Sequence, residues 1–401
     1  MEGKGIFKYL HGDKGIWYIV LILSFISVLA VYSSTGLLAY RYQGGHTGYY
    51  VLKHAMILMC GWAVMYMAHR VKYTYYSRIS QLLFIISIPL LVVTLFMGSV
   101  NDASRWITIP IIGFSFQTSD LAKLALVMFL ARQLSKHQKD IKENRTFYSI
   151  VYAPLLICLL IFPENLSTAA ILMITSLVMM VVGGIRSRYL VGLMGVGFLS
   201  VGFLVASFYL IPESKLPGRF ATWKNRIENF KTADPEMNYQ ATQAKIAVAG
   251  GGIIGKFPGN STQRNFLPHP YSDYIYAIII EEYGLLGGIC VLFLYLWLFR
   301  RGIIIARKCE GSFGCFLVIG ICFLLTLQAM INMGVAVNLL PVTGQPLPFL
   351  SMGGTSLWFT ALGVGIVLSV SVAVDKQGEG KNIDSLQEDD GKLLTAVSAN
   401  K

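Results

Sequence analysis

Apolar residues in this chain recur in nearly unbroken blocks about 20 residues long, the length at which an α-helix crosses the hydrocarbon of a bilayer. Ten blocks stand near 15–35, 51–69, 79–98, 119–135, 147–162, 166–184, 189–211, 274–299, 313–337 and 355–374. The fourth fits least well, because Asp120 and Lys123 fall in its first turn. The pattern predicts an all-α polytopic membrane protein with ten transmembrane helices. One connection, 212–272, is about 60 residues long, far beyond the usual loop. It keeps Phe220, Trp223, Ile227, Phe230 and Tyr239, and so reads as a folded lid between the seventh and eighth helices. The membrane unit is expected to span 1–374, that loop included. The remainder, 375–401, is polar and without aromatics, and is expected to be a disordered cytoplasmic tail.

Composition agrees with the pattern, and charge orients it. The 401 residues are 55% hydrophobic and 13% charged, against about 25% charged in soluble domains. A net charge of +12 would suit a nucleic-acid binder, but the basic residues sit in alternate short connections. One set holds Lys4, Lys8 and Lys14; Arg70, Lys72 and Arg78; Arg132, Lys136, Lys139, Lys142 and Arg145; Arg186 and Arg188; Arg300, Arg301, Arg307 and Lys308. The short loops of the other set hold Arg41 and Arg105. This positive-inside bias puts both termini in the cytoplasm and the long loop outside, and gives no reason to invoke nucleic acid. Cys60, Cys158, Cys290, Cys309, Cys315 and Cys322 lie in or beside apolar blocks without C-x-x-C spacing. They read as small buried hydrophobes rather than disulfides or metal ligands. The first block is too long for a signal-peptide core and has no A-x-A-like site after it.

Polar residues gather at the outer ends of the helices. In "NDASRWITIPIIGFSFQTSDLAK" (Asn101–Lys123), Asp120 and Lys123 are three apart and share a helix face. They form either a structural ion pair or a cationic contact for an anionic headgroup, tuned by its acid neighbour. In "PENLSTA", Asn165 or Ser167 is placed to cap the next helix. "YQATQAKIAVAGGGIIGKFPGNSTQR" reads as a short amphipathic helix stopped by glycines. Its Gly250-x-x-x-x-Gly255-Lys256 imitates a Walker A loop, but Phe257 replaces the Ser/Thr and no strand precedes it. The P-loop is rejected; a Gly-rich turn with Lys256 and Arg264 could still cradle a phosphate. "NLLPVTGQPLPFLSMGGTS" (Asn338–Ser356) has too many prolines and glycines for a continuous helix. Broken backbone at membrane depth must be buried in protein or line a cavity, here one opening outward. Finally, "SDYIYAIIIEEYGLLGG" carries acids where each is costly. Asp273 opens the eighth helix at the water boundary and is the acid best placed to act as a base. Glu281 and Glu282, deeper in, read as helix–helix hydrogen-bonding groups or partners of a buried cation.

Together these segments resemble the SEDS family of bacterial cell-wall polymerases (shape, elongation, division and sporulation proteins), over about residues 15 to 375. "LPHPYSDYIYAIIIEEYGLLGG" and "LLPVTGQPLPFLSMGGTS" carry the resemblance, with "RWITIPIIGFSFQTSDLAK" in support. It implies a peptidoglycan glycosyltransferase that polymerises lipid II on the outer face of the cytoplasmic (inner) membrane. Gly344–Pro348 and the compact length are more similar to division-type than elongation-type members. The family's essential acid maps to Asp273, with Tyr274 in place of Phe. Its fourth-helix acid and lysine map to Asp120 and Lys123, and its Arg-Trp to Arg105 and Trp106. Departures are Gln117-Thr118-Ser119-Asp120 for Gln-Pro-Ser-Glu, Asn165 where the family has an acid, and Ser351-Met352-Gly353-Gly354-Thr355 for Ser-Tyr-Gly-Gly-Ser, which keeps the serine.

On this reading Asp273 takes the proton from the acceptor GlcNAc 4-hydroxyl as it attacks C1 of the donor MurNAc, general-base catalysis worth about 10²–10⁴-fold. Arg105, Lys123, Lys256 and Arg219 are candidate stabilisers of the departing pyrophosphate, with Asp120 and Ser351 beside them as substrate contacts. A divalent cation (Mg2+ or Mn2+) could share that task, though no ligand spacing demands one. The resemblance implies a class b penicillin-binding protein transpeptidase, divisome proteins and membrane lipids as partners. A competing class is a transporter, a lipid II flippase or proton-coupled carrier, for which inverted repeats and midplane polar sites are expected. No internal repeat is visible, and the polar residues cluster on one side. A non-catalytic scaffold is the third reading, and in it Asp273 is dispensable.

Overall fold

Helices stand at all ten places where an apolar block predicts one. The computed structural model describes residues 10–42, 44, 46–96, 106–109, 114–210, 222–224, 228, 239–268 and 270–398. In chain order the elements are α1 (Lys14–Ser34), α2 (Gly36–Tyr42), α3 (Thr47–Arg70), α4 (Tyr73–Phe96), β1 (Trp106–Ile109), β2 (Phe114–Gln117), α5 (Thr118–Lys136), α6 (Asn144–Ile161), α7 (Leu166–Val182) and α8 (Ser187–Leu210). They continue with α9 (Tyr239–Gly251), α10 (Ile275–Lys308), α11 (Ser312–Ala336) and α12 (Thr355–Ser398).

Eight of these helices, α1, α3, α4, α6, α8, α10, α11 and α12, are long and apolar enough to cross a membrane. The other two predicted spans fall short for different reasons. α7 has 17 residues, and α5 carries charge. Yet α5 is buried along nearly its whole length, packed among α4, α6, α7, α11 and α12. A helix surrounded by other helices rather than by lipid can hold Asp120 and Lys123, because each becomes the other's solvent.

Two departures from the sequence reading stand out. The molecule is not wholly α-helical: β1 and β2 form an antiparallel ribbon, with Trp106 opposite Gln117 and Ile109 opposite Phe114, leading straight into α5. "FSFQ" alternates with the period of two that suits a strand, but four residues are too few for a block-length search to register. In addition, α12 continues to Ser398, through the segment expected to be disordered. Residues 375–398 contain no proline, and their Lys, Glu, Gln and Leu continue a helix once it is started, against the cost of Gly378, Gly380 and Gly391.

Asp13 joins the first helix to the far part of α10. Its Oδ1 caps α1 by accepting the Ile16 amide at 3.1 Å, while Arg301 Nε donates to both carboxylate oxygens at 3.0 Å. The start of α1 and the Arg300–Arg301 region thus share one end of the bundle. Asp273, just ahead of α10, belongs near the other.

Candidate active site

The described part of the long connection is spliced into a break in α10. At Gly284 (φ 70°, ψ −174°) the helix is interrupted, which frees backbone groups that lipid cannot satisfy. The turn after α9 satisfies them: Leu285 N–H donates to the Gly252 carbonyl at 2.9 Å, Leu286 N–H to Ile253 at 3.3 Å, and Lys256 N–H to the Glu281 carbonyl at 2.9 Å. The two backbones meet so closely that a Cβ at Gly251, Gly255 or Gly284 would lie 2.1, 2.3 or 2.1 Å from a carbonyl oxygen opposite. These glycines are there for backbone approach. Gly250–Lys256 is therefore half of a splice, whose other half begins at Glu281.

The two glutamates fasten this turn. Glu281, fully buried, accepts from Lys256 Nζ at 2.7 Å, Thr262 Oγ1 at 2.8 Å and Thr262 N at 3.1 Å. It accepts also from Gln263 N at 3.3 Å and from the Ser261 hydroxyl. Glu282 accepts from Ser261 N at 3.3 Å and from Ser33 Oγ of α1. Arg264 completes the link to α1, its Nη1 donating to the Ser33 carbonyl at 3.3 Å. Lys256, expected to hold phosphate, has Glu281 and Thr262 as its partners.

Asp273 lies just outside α10, which begins at Ile275 with Tyr274 as its N-cap. The angular relation to the glutamates that a continuous helix would give therefore does not apply. Asp273 is half-buried against the irregular segment 338–354, and the fastening is by backbone. Asn332 Nδ2 on α11 donates both to the Asp273 carbonyl (2.9 Å) and to Gln345 O (2.7 Å). Ser351 Oγ donates to Ser272 O at 2.7 Å while accepting from Leu347 N at 2.8 Å. Met352 N–H donates to Tyr271 O at 2.9 Å. Ser351, expected to touch substrate, thus holds the residue next to the acid. The Asp273 carboxylate keeps one oxygen near Ser272 Oγ (3.0 Å). The other, Oδ2, receives no hydrogen bond from the described residues and faces Gly344, whose left-handed backbone (φ 66°) would put a Cβ 3.6 Å away.

Asp120 and Lys123 form a buried ion pair at 2.7 Å. They do not touch Asp273, but polar contacts lead there. Lys123 Nζ lies 3.4 Å from Gln328 Oε1, and Gln328 Nε2 donates to Pro346 O at 2.9 Å. Gln345, the residue before Pro346, donates to Thr168 Oγ1 at 2.8 Å and returns to Asp273 through Asn332. Asn165 caps α7 by accepting Thr168 N–H at 3.2 Å, the role its sequence suggests. Asp120, Lys123, Gln328, Ser356 and Thr360 line a cavity of about 30 Å³, room for water but not for a sugar. Arg105 and Arg219 lie outside the described residues. Sequence reasoning missed Gln328 and Asn332, although the signal was present: two carboxamides four residues apart on one face of an apolar span.

Residues 13–376 match the cell cycle protein family of FtsW, RodA and SpoVE. The chain belongs to that family. It is 34% identical over 372 residues to a probable peptidoglycan glycosyltransferase FtsW of Geobacter metallireducens, covering 90% of this chain and 94% of that one. It is 35% identical over 373 residues to stage V sporulation protein E of Bacillus subtilis, covering 91% and 98%. Among solved structures, the rod shape determining protein RodA of Thermus thermophilus superposes with a TM-score of 0.64 at 22% identity, over 91% of this chain and 98% of that one. A chain of a peptidoglycan synthase complex that coordinates polymerization and crosslinking superposes with a TM-score of 0.70 at 22% identity, over 90% and 98%. The FtsW–RodA–SpoVE fold thus spans nearly the whole chain.

Proposed function

We propose that this protein is a peptidoglycan glycosyltransferase that polymerises lipid II, with Asp273 as its general base. One observation carries the proposal. The Asp273 backbone is fastened from α11 and from the 338–354 segment, while Oδ2 of its carboxylate takes no hydrogen bond from the described residues. Such a group is preorganised and still able to accept a proton. It would deprotonate the acceptor 4-hydroxyl during attack on the donor's anomeric carbon, with undecaprenyl pyrophosphate departing and the configuration inverting. Lys123, neutralised by Asp120, serves this reading better as part of the polar chain supporting the site than as a free cation. Arg105 and Arg219 are the proposed partners of the departing phosphates. Among the described residues no group of three or more His, Cys, Asp or Glu is placed to hold a metal. Mg2+ needs no such group, since one or two carboxylates together with substrate phosphates hold it, so a divalent cation shared with the pyrophosphate stays within this reading.

The wider reading has ten helices crossing the inner membrane, both termini in the cytoplasm and Asp273 facing outward. The charge bias of the short loops supports it. Relatives named FtsW support a role in septal wall synthesis, and the likeness to a chain of a polymerizing and crosslinking complex supports a transpeptidase partner. The test is lipid II polymerisation by the purified protein with its cognate transpeptidase, comparing wild type with Asp273→Ala and Asp273→Asn after thermal melts establish equal folding. Loss of glycan chains in both variants is expected. Polymerisation by either variant would sink the general-base assignment, and an inactive wild type would favour a transporter.

A further inference from the structure

The Pro346–Ser351 segment contains a backbone conformation that its own sequence does not favour. Phe349 is buried with φ +64°, a left-handed state disfavoured for any residue with a Cβ and kept only where the surroundings over-determine it. Both flanking carbonyls are gripped. The Tyr295 hydroxyl, fully buried on α10, donates to Pro348 O. On the other side Ser27 Oγ of α1 donates to Leu350 O at 2.9 Å, and His54 Nε2 of α3 lies 2.7 Å from the same hydroxyl.

The proton inventory fixes the direction of these bonds. A serine hydroxyl has one proton, and here Leu350 receives it. The His54 contact is therefore Nε2–H donating to Ser27, with Nδ1 bare. Nδ1 is buried without a partner, which suits a neutral ring, since a second N–H would be a donor without an acceptor. Ser27 and His54 have 0% and 1% of their surface exposed, so neither can touch a substrate. The next residue, Ser351, is the one whose hydroxyl holds Ser272 O beside Asp273.

We infer that His54, Ser27 and Tyr295 are positioning residues: they clamp the left-handed turn at Phe349 so that Ser351 holds the Ser272–Asp273 backbone in its reactive place. The inference rests on the reading of Asp273 as the base. It also gives a role to a serine and a histidine that are fully buried within two membrane-length helices.

The test uses the full chain with its transpeptidase partner, and two readouts. Ser27→Ala, His54→Leu and Tyr295→Phe are each expected to lower kcat for lipid II polymerisation by about tenfold, one hydrogen bond's worth, with KM unchanged. His54→Gln, whose amide can donate where Nε2–H did, is expected to stay within about threefold of wild type. In parallel, hydrogen exchange of the Ser351 and Met352 amides should quicken in the first three variants and not in His54→Gln. Equal loss in His54→Gln and His54→Leu, unchanged exchange, a shift in KM alone, or losses that merely track the folded fraction would each overturn the clamp. If Asp273→Asn keeps full activity, the base assignment fails, and the exchange data still decide whether the turn is held as described.

Discussion

Glu281→Ala removes the acceptor on which the turn at 256–263 converges, and the contacts allow the loss to be estimated. Five donor groups lose a partner: the Lys256 ammonium, the hydroxyls of Ser261 and Thr262, and the amides of Thr262 and Gln263. The hydroxyls can rotate. The Lys256 side chain is 35% exposed and can turn to water, so its share is about 0–1 kcal/mol, as for a surface pair. The two amides are fixed by the backbone and partly buried, at about 1–2 kcal/mol each. The total, about 2–5 kcal/mol, is below the 5–15 kcal/mol that holds a typical domain together. The variant should therefore fold, with the turn detached roughly 30 to 5,000 times more often. Limited proteolysis between 252 and 264 in detergent reads that opening directly, with a thermal melt as control. Glu281→Gln retains one carbonyl for the amides and should lose only about 1–2 kcal/mol, and Lys256→Met about 1 kcal/mol or less. If Lys256→Met opened the turn as much as Glu281→Ala, the ion pair would govern and the argument from stranded amides would be wrong.

Three further outcomes follow from the same contacts. Gly284→Ala should abolish folded protein in size-exclusion and melt assays, because its Cβ would lie 2.1 Å from Ile253 O; Gly252→Ala, also left-handed (φ 55°) but with nothing within 4 Å, should lose only about 1 kcal/mol. Lys123→Met leaves a buried Asp120 charge unpaired and should lower stability by about 3–5 kcal/mol, whereas Lys123→Met with Asp120→Asn should recover much of it; denaturant or thermal unfolding of the pair tests this, and equal damage in both would refute the ion-pair account. Asn332→Leu leaves two carbonyls without a donor, at about 1–3 kcal/mol each, and is expected to cut polymerisation at least about tenfold; an unchanged kcat would show that the Asp273 backbone needs no support from α11.

How much of this could be read from sequence depends on the range of each interaction. Lipid imposes its requirement on every residue of a span, so the helices stand where the apolar blocks put them. The Asp120–Lys123 pair and the Asn165 cap were equally legible, each resting on a spacing of three. The splice was not: Gly251 and Gly255 face backbone around Ile280–Glu282, and Gly284 faces Ile253. Nothing local in "GGGIIGK" shows whether its glycines make room for a phosphate or for another stretch of chain. Ser351 was singled out by resemblance, but its partner Ser272 lies 79 residues earlier, and a hydroxyl's partner cannot be inferred from the hydroxyl.

The costly acids of α10 then have a physical explanation that links them to the base. Glu281 fixes the chain at Thr262–Gln263, and only about ten residues, at most ~35 Å of chain, separate that point from Asp273. Asn332 and Ser351 fix the far end of the same stretch. A carboxylate in the membrane helix can be afforded because its acceptors meet the Thr262 and Gln263 backbone amides that the re-entrant turn would otherwise leave bare. Fastening a short connection at both ends restricts where its last residue can be. Asp273 can therefore lie outside regular structure, with an oxygen open toward Gly344, and still be held in one place.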